Sequence, residues 1–184
     1  MMRRLLIIAL AVFSQSASAG QVNYSSVEYE AGVYSLSFEM DIDAALEKVR
    51  ALVTDYDNLA NLSRMLVESE IISAPGDPVK LRLLVVRACV LFFCRDMRMV
   101  EGIEEPEEDV IVTTVIPEQS DFKSGMTRWQ LTGLADRKTR IAFSCREEPD
   151  FWFPPIIGPL IVKHRLLREA EVIINNIETI SADD

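Results

Sequence analysis

Three ionisable side chains in the last third of the chain are candidates for acid–base chemistry. Glu147 continues a strand-like alternation, Lys163 interrupts the apolar stripe of a helix-like segment, and His164 lies at the border of that stripe. A carboxyl, an amine and an imidazole that converge on one apolar substrate can exchange protons with it. The alternative for each is a place at a strand end or an extension to solvent. They are therefore only weak catalytic candidates.

Patterns for metal and nucleophile chemistry are missing. The chain has three cysteines and one histidine, and their spacing matches no zinc site. It also has no G-x-S-x-G motif and no glycine-rich phosphate loop, with seven glycines in all. We therefore predict that the protein uses no metal and no cofactor.

The first 19 residues have the organisation of a secretory signal. Two arginines precede the apolar run Leu5 to Phe13, and the small residues Ala17-Ser18-Ala19 precede Gly20. The run is too short to cross a bilayer, which takes roughly 20 apolar residues. We therefore predict a signal peptide over residues 1–19, one domain over residues 20–184, and a periplasmic or secreted location.

The net charge argues against polyanionic partners. The formal charge is −10, and it becomes −12 when the two arginines leave with the signal peptide. Such a surface repels nucleic acid and anionic membranes. The 165 residues that remain suit one domain with a hydrophobic core. We expect a monomer that binds no nucleic acid.

Cys89 and Cys94 are predicted to form a disulfide. Four residues separate them between two strand-like runs, so a hairpin brings them within bonding distance in an oxidising compartment. Two buried free thiols are the alternative, and a redox pair is disfavoured because the spacing is not C-x-x-C. Cys145 alternates with apolar residues and is predicted to be a small core residue.

Hydrophobic periodicity predicts strands, two short helices and a long closing helix. Asp43 is predicted to cap a helix that runs to Val53, and a second short helix is predicted from Asn58 to Met65. Short connections between the later strands require antiparallel pairing. The acidic run Glu101 to Asp109 is predicted to be a solvated hairpin end. The predicted strands cover approximately 22–29, 34–40, 66–73, 79–88, 93–103, 110–116, 122–132 and 140–148.

The closing helix is predicted to begin near Pro159 and to lie on the sheet through one apolar side. The apolar side gathers Leu160, Leu167, Ala170, Ile174 and Ile177, with Leu166 and Ile173 beside them. The opposite side carries Arg165, Arg168, Glu169 and Asn176. The predicted fold class is therefore α+β with a helix-grip fold: a curved antiparallel sheet of about six to seven strands wrapped around the C-terminal helix, with two short helices after the first strand.

Four segments carry a family resemblance. Met40 to Ala44, Val53 to Leu59, the strand Arg128 to Leu131, and Asp150 to Gly158 together resemble the START/Bet v 1-like (SRPBCC) superfamily, in particular its bacterial polyketide cyclase/dehydrase and coenzyme-Q-binding-like branch. The resemblance implies a cavity between sheet and helix that holds a lipid, quinone, isoprenoid or polyketide-like molecule. The export signal and the cysteine pair depart from the usual intracellular members.

Large apolar residues and one arginine on the strands and closing helix are the predicted ligand contacts. Methionine suits an adaptable pocket because it is flexible and polarisable. Plain core packing is the alternative for each apolar residue. The predicted contacts are Leu83, Val85, Arg87, Met97, Met99, Met126, Trp129, Phe143, Trp152, Leu167 and Ile174.

Three functions remain open from the sequence. The leading hypothesis is an exported carrier for a hydrophobic small molecule. The second is a cyclase- or dehydratase-type enzyme that acts on an apolar substrate in the same cavity. The third is an envelope module that contacts a membrane or protein transiently through the apolar tip Val90 to Phe93 and the Trp152 region, because four apolar residues at a turn are rarely left in water without a partner.

Overall fold

The protein is an eight-stranded antiparallel sheet that holds a long C-terminal helix. A computed structural model describes residues 20–90, 93–151 and 158–183, with the side chains of 90, 93, 158–163 and 183 outside the description. The elements are β1 (Gln21–Glu30), β2 (Val33–Ile42), α1 (Leu46–Val53), β3 (Leu66–Ile71), β4 (Lys80–Val90), β5 (Phe93–Glu107), β6 (Val110–Val115), β7 (Phe122–Gly133), β8 (Thr139–Pro149) and α2 (Gly158–Asp183).

The strand order is β1-β2-β8-β7-β6-β5-β4-β3, and every pair is antiparallel. The helix-grip prediction is confirmed, with eight strands instead of six to seven. All eight predicted segments pair in one sheet, and at its N-terminal end β1 and β2 are joined by the tight turn Ala31-Gly32. Both turn residues have positive φ, at 50° and 93°, which glycine adopts without steric cost.

The two short helices differ from their predictions. The N-cap of α1 is Ala45, and no side chain caps it. Asp43 precedes this cap, and its backbone N–H donates to Glu178 Oε1 of α2 at 2.8 Å. The second helix is a single 3₁₀ turn, Leu59–Asn61. The prediction of a helix from Asn58 to Met65 is therefore wrong in extent, since the residues that follow this turn bond to α2 instead of continuing a helix.

The concave face of the sheet carries most of the core. On β2 the residues Tyr34, Leu36, Phe38, Met40 and Ile42 are all buried, as the period of two predicts. Their partners on the neighbouring strand β8 include the fully buried Ile141. The sheet thus presents one continuous apolar floor.

The helix α2 lies over the part of that floor formed by β1 and β2 and also packs against α1. Its start at Gly158 confirms the predicted beginning near Pro159. Ala170, Ile174 and Ile177 are buried in the core as predicted. Among the residues described, no helix is long and apolar enough to cross a membrane.

The hairpin of β4 and β5 contains the predicted disulfide. Cys89 and Cys94 are directly opposite in the strand register, with their Cα atoms 3.9 Å apart, and they are bonded to each other. The remaining cysteine, Cys145, is free.

Candidate functional site

A cavity of about 340 Å³ lies between the concave face of the sheet and α2. Its lining is mostly apolar, and the sheet contributes most of it. The helix adds Leu166, Ala170 and Ile173, and the segment that follows α1 adds Leu59, Leu62 and Met65. Apolar lining residues from the sheet include Leu36, Phe38, Leu84, Val86, Met99 and Trp129.

A buried ion pair lies in the wall of this cavity. Arg82 on β4 donates to Glu101 Oε2 on β5 through Nε at 3.2 Å and through Nη2 at 2.6 Å. The second carboxylate oxygen, Oε1, accepts from Thr113 Oγ1 at 2.6 Å. The Arg82 guanidinium also lies over the Tyr56 ring, 5.4 Å from its centroid. Both oxygens of Glu101 are therefore satisfied. The prediction of a solvated acidic run is wrong at Glu101, which is only 1% exposed.

A second carboxyl group, Glu147 on β8, lines the same cavity and is 9% exposed. Its Oε1 accepts from Thr127 Oγ1 at 3.3 Å, whereas Oε2 has no hydrogen-bond partner among the described residues. Burial, and then the negative charge of Glu101, raise the pKa of Glu147 from 4.5 to about 8, although the Thr127 hydrogen bond lowers it. Glu147 is therefore protonated at neutral pH.

Gly125 provides the space that the Glu147 carboxyl occupies. The two residues are opposite each other on β7 and β8. A Cβ atom at position 125 would overlap Glu147 Oε2 and would lie 2.5 Å from Val115 Cγ2. A glycine at this point of the strand lets the carboxyl lie against the sheet.

Among the described side chains of α2, Glu169 is the polar one that lines the cavity. Its Oε1 accepts from Ser63 Oγ at 2.5 Å and from the backbone N–H of Met65 at 3.2 Å. Glu169 was predicted on the side opposite the apolar stripe, and this placement is wrong. The side of α2 that faces the cavity is centred closer to Leu166 and Ile173 than predicted. Glu169 therefore faces the segment after α1 and binds that segment to the helix.

Three of the predicted ligand contacts line the cavity: Met99, Trp129 and Phe143. The two aromatic rings pack edge to face with their centroids 4.7 Å apart. A fourth, Met97, packs beside the cavity against the cluster that contains Leu84 and Met99. Contact of these residues with a ligand remains a prediction.

The other predicted contacts lie elsewhere. Leu83, Val85 and Arg87 are on the opposite face of β4, because the strand alternates and its inner residues are Arg82, Leu84 and Val86. Arg87 is exposed and binds Asp96. For the same reason Met126 is 56% exposed, outside the cavity. Leu167 and Ile174 pack in the core without lining the cavity. Trp152 lies outside the described residues.

The three acid–base candidates do not form a described cluster. Glu147 lines the cavity, His164 is exposed, and the Lys163 side chain lies outside the description, as do the side chains of the tip Val90 to Phe93. Within the described parts of the chain, no group of three His, Cys, Asp or Glu side chains is placed to hold a metal ion.

The Arg82–Glu101 pair was not predicted, although the positions of the cysteines contained a signal for it. A bridge between Cys89 and Cys94 sets the hairpin register, and seven steps back along each strand bring Arg82 opposite Glu101. Opposite charges directly across a strand pair attract each other. The same register brings Arg87 opposite Asp96.

Comparison with known proteins agrees with this architecture. The family described as polyketide cyclase/dehydrase and lipid transport matches residues 34–171. Among solved structures, the chain is similar to a START superfamily protein from Mycobacterium smegmatis, with 17% identity, coverage of 81% of this chain and 97% of that chain, and a TM-score of 0.62.

Two further structures have the same fold. The Zhui aromatase/cyclase from Streptomyces sp. R1128 has 12% identity, coverage of 82% of this chain and 94% of that chain, and a TM-score of 0.60. A STAR-related lipid transfer protein from Xanthomonas axonopodis has 15% identity, coverage of 83% and 98%, and a TM-score of 0.58. No protein with curated function matches the sequence.

Proposed function

Because this chain belongs to the polyketide cyclase/dehydrase and lipid transport family, we propose that it is an exported carrier of a hydrophobic small molecule held between the sheet and α2. The observation that carries the proposal is the mostly apolar cavity of about 340 Å³ at that place. Its ligand is a lipid, quinone, isoprenoid or polyketide-like molecule.

The cavity suits such a ligand in size and chemistry. Small-molecule sites typically have volumes of about 300–1,000 Å³, mostly apolar walls and few polar groups. Burial of apolar ligand surface contributes about 25 cal/mol per Å². The Arg82 charge is neutralised by Glu101, so the wall offers an apolar ligand no unpaired charge from this pair.

Export is supported by two independent features. Residues 1–19 have the basic, apolar and small-residue regions of a signal peptide in order. The Cys89–Cys94 disulfide favours an oxidising compartment such as the periplasm.

Recovery of the protein from the periplasm tests both parts of the proposal. We expect native mass spectrometry to show a chain that begins at Gly20 with one apolar molecule bound, which organic extraction then identifies. An empty protein that also takes up no member of a panel of lipids, quinones and isoprenoids would refute the carrier function.

Two adjacent valines of β4 provide a matched test of the cavity. Val86 lines the cavity and Val85 lies on the opposite face, and both are half-buried. We expect Val86→Phe to weaken binding of an apolar probe by at least about tenfold, because the larger ring occupies ligand space. Val85→Phe should leave the affinity within about twofold. Equal effects, measured by fluorescence titration of folded variants, would place the ligand outside this cavity.

An enzyme is the second candidate because Glu147 is a protonated buried acid in the cavity wall. Such a group is suited to general-acid catalysis on an apolar substrate. Chemical comparison of the extracted molecule before and after prolonged incubation with the protein distinguishes the two functions. A carrier returns its ligand unchanged.

A further inference from the structure

The carboxyl oxygens in the cavity wall differ in their hydrogen bonding. Glu101 has partners for both oxygens, and Glu169 Oε1 accepts two hydrogen bonds. Glu147 Oε2 is buried and has no partner among the described residues. A buried polar atom without a partner costs free energy that a bound group can recover. Because Glu147 lines the cavity, a bound ligand can supply the partner that Oε2 lacks.

We propose that protonated Glu147 donates a hydrogen bond from Oε2 to an uncharged oxygen acceptor, such as a ketone or ester carbonyl, on an otherwise apolar ligand. This inference rests on the proposed carrier function and adds the chemistry of the ligand's polar group. The contacts of the carboxyl group indicate which oxygen holds the proton. Oε1 already accepts a hydrogen bond from Thr127, so Oε2 remains to hold the proton.

The charges around the cavity favour an uncharged acceptor over an ionic group. The titratable groups that face Glu147 from the described elements are Arg82 on β4, Glu101 on β5, Tyr34 on β2, Cys145 on β8 and Glu169 on α2. The only cation among them, Arg82, is bound to Glu101. Among the described side chains, a ligand carboxylate would therefore meet carboxyl groups and no unpaired cation.

A cationic ligand group is disfavoured for a different reason. It would require ionised Glu147, and the apolar wall and the Glu101 charge both oppose ionisation. A neutral acid beside a neutral acceptor avoids placing a charge in the cavity.

Four probes with the same ten carbons test the inference: decane, 2-decanone, decanoate and decylamine. We expect the ketone to displace a fluorescent apolar dye roughly 2- to 10-fold more effectively than decane, which corresponds to one net hydrogen bond. Glu147→Gln should keep this preference, because its amide N–H can donate. Glu147→Leu should abolish the preference while decane still binds.

The pH dependence provides a second readout. The ketone preference of the unmodified protein should fall as the pH rises above about 8 and should persist in Glu147→Gln. Equal binding of decane and ketone would overturn the inference and leave the carrier function intact, as would tightest binding of decylamine. Failure to bind any of the four probes would overturn both.

The N-terminal end of the mature domain supports a second, independent inference. The Gly20 backbone N donates to Glu178 Oε1 at 2.8 Å, the same oxygen that accepts from Asp43 N. A Cβ atom at position 20 would lie 2.5 Å from Asp41 O and 2.6 Å from Ile174 Cγ2. Position 20 lies against residues of β2 and α2 and therefore accommodates glycine and no larger residue.

We infer, on the basis of the proposed export, that removal of the leader creates an ion pair between the Gly20 α-ammonium and the Glu178 carboxylate. A leader-removing protease adds water across the Ala19–Gly20 peptide bond. Ala19 leaves as a carboxylate, and the Gly20 nitrogen becomes a charged amine within reach of Glu178. The processed chain thereby fastens the start of β1 to α2 more strongly than the precursor does.

A double-mutant cycle tests this ion pair. A chain that begins at Gly20 should melt about 2–4 °C higher than one with a serine added before Gly20, because the addition displaces the charge. Glu178→Gln should remove that difference, since the amide still accepts both backbone hydrogen bonds but has no charge. Glu171→Gln, at an exposed position of α2, is the control. Equal melting temperatures of the two wild-type chains, or a mature chain that starts elsewhere, would overturn the inference.

Discussion

Replacing Arg82 with Met, or Glu101 with Leu, is expected to lower the free energy of unfolding by about 3–5 kcal/mol. Each single change leaves one charge of the pair in the cavity wall without its partner. Arg82 and Glu101 have side-chain exposures of only 7% and 2%, so water cannot solvate the charge that remains. The double variant, R82M/E101L, should recover most of the loss, because two apolar side chains replace two buried charges.

The same hairpin contains the control. Arg87 also donates through Nε and Nη2, with one bond to each oxygen of Asp96 at 2.6 Å (Oδ1) and 2.7 Å (Oδ2), but both side chains are exposed. Arg87→Met should therefore change stability little, because surface ion pairs are screened by water and salt. Urea unfolding of the five proteins measures all these differences. A loss in R87M as large as that in R82M would show that burial is not the cause.

The fold was predictable because most of its elements have one dominant pattern. The alternation of β2 places Leu36, Phe38 and Met40 on one face without ambiguity. The short connections between consecutive strands require antiparallel pairing. The disulfide followed from the spacing of Cys89 and Cys94. These features are local, so short stretches of sequence contain them.

The site was less predictable because two of its elements have two plausible faces. On β4 both Leu81-Leu83-Val85 and Leu84-Val86 are apolar, and only tertiary packing determines which set faces the cavity. Arg82 made the true inner face look polar, since its partner Glu101 is 19 positions away in the chain. A buried ion pair thus conceals the inward face of the strand that contains it.

The rotation of α2 was uncertain for a related reason. Its apolar residues cover more than one side of the helix, from Leu166 and Ile173 to Leu167 and Ile174. The Glu169 carboxyl faces inward because Ser63 and the Met65 backbone offer it hydrogen bonds. Those partners belong to a segment remote in sequence, so the projection of α2 at 3.6 residues per turn could not include them.

Glu147 is expected to make the stability of the ligand-free protein fall as pH rises. Its pKa in the folded state is about 8, above the ordinary value of 4.5, so the folded protein holds this proton after the unfolded chain has released it. The stability that this proton contributes is fully present below about pH 4.5 and declines between pH 4.5 and about pH 8. Above about pH 8 the Glu147 carboxyl causes no further change in stability.

The glutamine variant isolates this contribution, because Glu147→Gln cannot ionise. We expect it to be about as stable as the wild type at pH 4.5 and more stable by about 3–5 kcal/mol at pH 9, since each pKa unit corresponds to roughly 1.4 kcal/mol. Denaturant unfolding of the ligand-free proteins at both pH values measures the difference, with Glu171→Gln as an exposed control. A difference that does not change with pH would mean that the Glu147 carboxyl ionises in the folded protein as readily as in the unfolded chain. In that case the cavity wall is wetter than its apolar lining implies, and the neutral acid on which ligand recognition depends is absent.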